Sequence, residues 1–282
     1  MHWNYGMIFK KIRTSKGLRQ SEITGGNLSP TTLSRLENGK LVPSVDTFQY
    51  LLEQLGISYD EFEYISNNYF PNEKHAIMNN FFKLMSNAST DELLKLRQRC
   101  ETYLASREDT FLDSILIVLD SALTLQNDSH RKVDCLPKIM VSKIWVTLEK
   151  MDEWYLNEIR LLNAMLFFLP LETLKELVPR IILNLEKYND FKPIENLKIS
   201  IFLNLSTLFL QNSDIASCLK TILIAKNWAK QACRYDYFAV CLIREGICDK
   251  DIDNIERGKQ LLLLIEAVEL KTMLEKEIEL FF

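Results

Sequence analysis

The sequence predicts an all-α protein, built as a small N-terminal domain followed by a long array of paired helices. Three observations lead there. Helix breakers are scarce, with 8 glycines and 7 prolines among 282 residues. Apolar residues make up 47% of the chain and recur mostly at three- and four-residue spacing. Charge is split: Lys10, Lys11, Arg13, Lys16, Arg19, Arg35 and Lys40 against Glu22 and Glu37 give residues 1–44 a charge of +5, leaving −9 on the remainder of a chain of net −4. A basic front on an acidic body suits a protein that touches phosphate with one end.

The first helix is expected over about Tyr5 to Lys16, with Ile8, Ile12 and Met7 inward and Gly17 ending it. A second, short helix starts at Gln20, points Ile23 inward and stops at Gly25-Gly26. Ser29 is placed to cap a third, and Pro30 fits its first position, where no N–H is needed. Leu33 and Leu36 face the core, and Gly39 closes that helix. After Val42-Pro43-Ser44 comes a fourth, with Phe48, Leu51, Leu52 and Leu55 inward, and a fifth over about Asp60 to Tyr64. Asn67 to Asn72, polar and carrying Pro71, reads as a linker between a 1–66 domain and a 73–282 domain.

Beyond the linker, amphipathic patterns run over about Glu73–Asn87, Thr90–Ser106, Thr110–Leu125, Leu136–Lys150, Glu153–Leu169, Leu171–Tyr188, Ile194–Gln211, Ile215–Ala232, Tyr237–Ile247 and Ile255–Leu280. Paired helices of this length suggest an α-solenoid. Residues 161–169 and 202–210 align at an offset of 41, matching Leu162 with Leu203, Asn163 with Asn204, Phe168 with Phe209 and Leu169 with Leu210.

Several function classes find no support. No apolar run of about 18 residues exists to span a membrane. Met1-His2-Trp3-Asn4-Tyr5 does not read as a signal peptide, so the expected compartment is the cytoplasm. Six cysteines without C-x-x-C spacing and three histidines give no metal site, and no cofactor is implied. Buried thiols are the expectation, with a redox role of Cys233, Cys241 and Cys248 kept open. No phosphate loop, G-x-S-x-G or H-E-x-x-H occurs, so an enzyme is not expected.

Residues 17–40 have the layout of a helix-turn-helix, whose second helix enters the major groove and meets base edges with its N-terminal side chains. Ser29, Thr31, Thr32 and Arg35 lie opposite Leu33 and Leu36 and are the candidate readers. Arg35 can satisfy both acceptors of a guanine, and Thr31 can pack on a thymine methyl. Arg19, Gln20, Asn38 and Lys40 flank them and suit phosphate contacts, which set register.

This stretch resembles the Xre-type, lambda-repressor-like helix-turn-helix. The resemblance rests on Gln20, Ser29, Leu33, Ser34-Arg35-Leu36-Glu37-Asn38-Gly39-Lys40 and Pro43. It implies that Arg13 pairs internally with Glu37. Departures are Thr24 and Gly25-Gly26, which read as loosening the second helix, and Pro30, at a position that often reads bases. The whole chain is similar to the Rgg (GadR, MutR) regulators, which join an Xre-type domain to a tetratricopeptide-like α-solenoid. That resemblance implies a homodimer that binds a short linear signalling peptide in the repeat domain, as in quorum sensing. Some members carry a disulfide near the start of the helix after the Xre motif; Ser44-Val45-Asp46 has no cysteine for it.

A peptide exposes unpaired backbone groups, and asparagine offers them both donor and acceptor. Asn163 and Asn204 are candidates for such contacts, with Arg160, Lys226, Asn227 and Lys230 for a peptide carboxylate. The alternative is that both asparagines bridge neighbouring helices. At the level of the whole protein, the leading expectation is a peptide-responsive regulator on a roughly palindromic double-stranded DNA operator. The second is a DNA-binding regulator whose repeat domain is a protein scaffold, for instance one docking RNA polymerase.

Overall fold

The structure is a computed structural model and describes residues 5–26, 28–84, 89–127, 135–191 and 194–282, with the backbone alone at 84, 127 and 135–140. Among these residues there are sixteen α-helices and no strand. The chain forms two compact units, 1–79 and 80–282.

The first unit holds α1 (Tyr5–Ser15), α2 (Gln20–Thr24), α3 (Pro30–Glu37), α4 (Val45–Leu55) and α5 (Tyr59–Ser66). Its core is Phe9, Ile12, Ile23, Leu33, Leu36, Leu51, Leu52, Leu55 and Phe62. The phase of α1 differs from expectation. Met7 is 58% exposed and Phe9, 1% exposed, takes the inward place. Gly6 sets this phase: a Cβ there would stand 1.8 Å from the Leu36 carbonyl oxygen, so glycine lets α1 lie directly on the end of α3. Gly6, Phe9 and Arg13, three and four residues apart, then form the buried face. Phe48 is partly buried and meets Phe62 edge-on at 5.0 Å.

Gly25 and Gly26 do not loosen α2, because α2 ends at Thr24 before them. Gly25 is its left-handed cap at φ 51°, lying where a Cβ would reach 2.2 Å from the Tyr50 hydroxyl.

After α6 (Glu73–Leu84), which contributes residues to both units, come α7 (Thr90–Leu104), α8 (Thr110–Asn127), α9 (Cys135–Glu149), α10 (Leu156–Met165), α11 (Leu171–Glu186), α12 (Glu195–Gln211), α13 (Ile215–Gln231), α14 (Tyr235–Asp249), α15 (Ile252–Leu264) and α16 (Val268–Phe281). Within the second unit α7 packs on α8, α8 on α9, and α12 through α15 each on the next. Connections this short force antiparallel neighbours.

Two expected helices are corrected. The expected Glu153–Leu169 helix starts only at Leu156 and tightens into a 3-10 turn over Leu166–Phe168. Trp154 holds the preceding loop: its indole donates to the Leu148 carbonyl (2.8 Å), its backbone N–H donates to Asn184 Oδ1 (3.0 Å), and Arg180 stacks on the ring at 3.8 Å. The expected Ile255–Leu280 helix is two helices, because Glu266 turns the chain with φ 57°. Ser213, Cys233 and Lys250 turn the α12–α13, α13–α14 and α14–α15 connections in the same left-handed conformation.

Candidate nucleic-acid interface and repeat-unit site

The reading helix α3 is fixed at both ends and from behind. At its start the Ser29 hydroxyl accepts from the Thr32 backbone N–H (3.0 Å) and pairs with the Thr32 hydroxyl (2.8 Å). At its end Glu37, 1% exposed, accepts from Arg13 Nε (2.5 Å), Arg13 Nη2 (2.9 Å) and Gln20 Nε2 (2.8 Å). Arg13 is itself buried, and its Nη1 donates to the Leu18 carbonyl (2.6 Å). The hydrogen bond to Glu37 holds the Arg13 guanidinium above its ordinary value. One carboxylate thereby ties α1, α2 and α3 together.

This framework sorts the eight sequence candidates. Thr31 and Arg35, one turn apart, are exposed on one face, and neither side chain bonds to any described residue. Lys40 is exposed and equally uncommitted. Arg19 is exposed, and its backbone N–H donates to Glu22 Oε2 (2.5 Å) at the start of α2. Gln20 is engaged with Glu37, and Asn38 Nδ2 donates to the Ser34 carbonyl (2.8 Å). Ser29 and Thr32 bond each other. The last four are thus framing side chains, which the sequence pattern alone does not separate from Thr31 and Arg35.

In the second unit, Asn204 Nδ2 donates to Asn163 Oδ1 at 3.0 Å, and Asn163 Nδ2 reaches the Ser200 hydroxyl at 3.5 Å. The pair therefore bridges α10 and α12. Both residues are half-buried, and Asn204 Oδ1 accepts no bond from the described residues. Arg160, one turn before Asn163, stacks on Phe82 at 5.4 Å and has no hydrogen-bond or carboxylate partner among the described residues. Burial pulls its guanidinium below its ordinary value.

Lys226 is corrected as a free cation: its ammonium is 2.5 Å from Glu245 of α14. Asn227 and Lys230 are exposed on α13, and no side-chain bond joins them to the asparagine pair. Sequence reasoning missed a cavity of about 410 Å³ beside them, lined by Glu186, Asn189, Lys198, Trp228 and Gln231 among others. Lys198 is 7% exposed, donates to Asn189 Oδ1 (2.9 Å) and faces the Trp228 ring at 5.8 Å. A lysine in the apolar helix α12 was the available signal. Also missed was the Arg244–Glu277 pair (2.6 Å), which joins α14 to α16.

No helix is long and apolar enough to cross a membrane, and no group of three metal-binding side chains occurs, among the described residues.

Comparison with known proteins agrees with this layout. A helix-turn-helix family model matches residues 9–62, and the model for the C-terminal domain of the HTH-type transcriptional regulator Rgg matches residues 141–232. A Listeria monocytogenes EGD-e protein described as a transcriptional regulator shares the fold with TM-score 0.81 at 19% identity, over 100% of this chain and 98% of that one. The Streptococcus dysgalactiae SHP pheromone receptor Rgg2 gives TM-score 0.73 at 17% identity, over 98% of each chain. Bacillus thuringiensis PlcR, in complex with the peptide PapR7 and DNA, gives 0.65 at 16% identity, over 96% of this chain and 99% of its own. At these identities the likeness establishes a shared fold.

Proposed function

This chain belongs to the Rgg family of helix-turn-helix transcriptional regulators, and from that premise we propose that it is a cytoplasmic homodimer binding a specific DNA operator under control of a short signalling peptide. Residues 1–66 bind DNA, 67–72 link, and 73–282 carry the peptide and dimer surfaces. The observation that carries the DNA half is the uncommitted Thr31–Arg35 face on a helix locked from behind by Glu37. Rigid framing places those side chains in the groove without further loss of conformational freedom.

Arg35 reads a guanine through its fork, Thr31 packs on the neighbouring base, and Arg19 and Lys40 neutralise phosphate. Two such units on a two-fold axis call for a roughly palindromic site. Alanine at Arg35 lowers specific affinity by about 1–3 kcal/mol and relaxes preference at one base position in each half-site. Unchanged operator preference would remove Arg35 from the interface.

For the peptide half, support comes from two relatives of the same fold, one a pheromone receptor and one in complex with a peptide. The half-buried guanidinium of Arg160, without a carboxylate partner among the described residues, supplies a charge for a peptide terminus, and Asn204 Oδ1 in the neighbouring bridge supplies an acceptor for peptide backbone. Peptide that favours one of two repeat-unit conformations shifts the DNA-competent population. The mutual Asn163–Asn204 bond and the Lys226–Glu245 pair, which bind these side chains to each other, favour the second reading, a protein scaffold without peptide ligand. Titrating the full chain with a library of short hydrophobic peptides, with operator affinity as readout, separates the two. A binder lost in Arg160→Ala supports the receptor, and no binder in the library supports the scaffold.

A further inference from the structure

Cys218, near the start of α13, and Cys248, near the end of α14, are 30 residues apart in sequence, yet their sulfurs stand 3.5 Å apart. Both are free thiols. A disulfide bond is about 2.05 Å long, so the sulfurs have roughly 1.5 Å to close. The two cysteines differ in access: Cys218 is fully buried, whereas Cys248 is partly exposed. Cys218 lies 3.3 Å from the Ser206 carbonyl, and the Ser206 hydroxyl accepts from Arg244 Nη1 at 2.9 Å. Arg244 also stands one helical turn before Cys248 on α14.

We propose that Cys218 and Cys248 form an oxidisable dithiol, which hydrogen peroxide converts to an intrachain disulfide stapling α13 to α14. Cys248, the accessible partner, reacts first. Its thiolate attacks one peroxide oxygen; the S–O bond forms, the O–O bond breaks, and the other oxygen leaves as hydroxide, which becomes water. Cys248 is then a sulfenic acid. Cys218 loses its proton and attacks that sulfur; the S–S bond forms, the S–O bond breaks, and the departing hydroxide takes the proton as water. Two electrons pass from the thiols to the peroxide, which ends as two waters.

The electrostatics agree with this order. The hydrogen bond between the two sulfurs holds the Cys248 thiol below its ordinary value, against burial and Asp249. The same bond, followed by burial, pushes Cys218 up. The low-value thiol is thus the one that peroxide can reach. The remaining described thiols are set apart. Cys100 and Cys241 are buried, with thiols pushed up to about 11 and about 12 chiefly by burial, and Cys233 is exposed and single. The sequence spacing of Cys233, Cys241 and Cys248 suggested a different grouping, which the fold replaces with this pair.

The test treats full-length protein carrying Cys233→Ser with hydrogen peroxide, digests it without reduction and maps every thiol, Cys135 included, by mass spectrometry. The expected product is a single cross-linked peptide pair containing Cys218 and Cys248, reversed by dithiothreitol, with helical circular dichroism unchanged. In Cys218→Ser the reaction stops at a Cys248 sulfenic acid that dimedone traps. In Cys248→Ser, Cys218 stays reduced. Cys248 proceeding to sulfinic acid while Cys218 remains alkylatable would overturn the proposal, as would a folded protein in which neither thiol reacts. Equal oxidation of Cys218 with and without Cys248 would overturn the order of attack.

Discussion

Replacing Glu37 with leucine tests whether the reading helix is held from behind by a charge pair. The change removes three hydrogen bonds and leaves Arg13, 7% exposed, with the Leu18 carbonyl as its remaining partner. Stranding one member of a buried pair costs about 3–5 kcal/mol. A domain of about 66 residues has on the order of 3–10 kcal/mol of total stability. Glu37→Leu therefore removes a large share of what holds α1, α2 and α3 together. The double change Arg13→Met with Glu37→Leu strands no buried charge, losing only the neutral partners Gln20 and the Leu18 carbonyl, and fills the same space with apolar groups, so it recovers to within about 1–2 kcal/mol of the parent. The coupling energy between the two sites is then about 2–3 kcal/mol or more. Native-state hydrogen exchange at increasing urea, read in peptides covering α1 and α3 of the full chain, measures each variant. A double variant whose loss equals the sum of the two single losses would refute the reasoning.

Four further outcomes follow from named contacts. Gly6→Ala must push α1 away from a backbone carbonyl and costs about 1–3 kcal/mol or more, whereas Gly25→Ala meets a movable Tyr50 hydroxyl and costs about 1–2 kcal/mol for its left-handed backbone; urea midpoints rank the two. Lys40→Ala weakens binding to all DNA sequences alike and lowers the slope of log affinity against log salt by about one, measured by fluorescence anisotropy. Asp214 caps α13, and its carboxyl is held below the usual carboxylate range first by Lys175 at 2.9 Å and then by the Ser217 N–H. Its contribution is complete above the unfolded value of about 3.9 and is lost as pH falls through the depressed folded value. Asp214→Ala accordingly costs about 1 kcal/mol at neutral pH, and denaturant melts of the two proteins converge in acid. A double-mutant cycle on Asn163→Ala and Asn204→Ala gives a stability coupling of about 0.5–1.5 kcal/mol through their mutual bond, and additive losses would contradict that bond.

The helix-turn-helix was legible because its determinants are close in sequence. Ser29 caps a helix by accepting from the N–H three residues on, and Leu33 and Leu36 are one turn apart, whereas the pairing of Arg13 with Glu37, 24 residues apart, came from the family resemblance. The phase of α1 was not legible, since Ile8, Met7 and Phe9 offer competing apolar faces. What decides is how near α1 can approach α3, and that depends on the missing side chain at Gly6. The break between α15 and α16 was hidden for a related reason: the left-handed turn falls on Glu266, a residue that sequence rules associate with helix interiors.

In the second unit the offset of 41 carried real geometric content, because Asn163 and Asn204 do lie opposite each other on α10 and α12. An offset places two residues at equivalent points on stacked helices, but it cannot say whether their amides turn toward a ligand or toward each other. The same limit applies to charge. Lys226 and Glu245 occupy different helices of one hairpin, so their pairing is set by the rotation of α14 against α13. Arg160 differs physically from Lys226 in this respect: both are cations in apolar helices, but among the described residues only Lys226 has a carboxylate partner. A half-buried charge left unpaired costs stability that a purely structural position would avoid by substitution. That cost is why Arg160, and not Lys226, is the residue on which the peptide reading stands or falls.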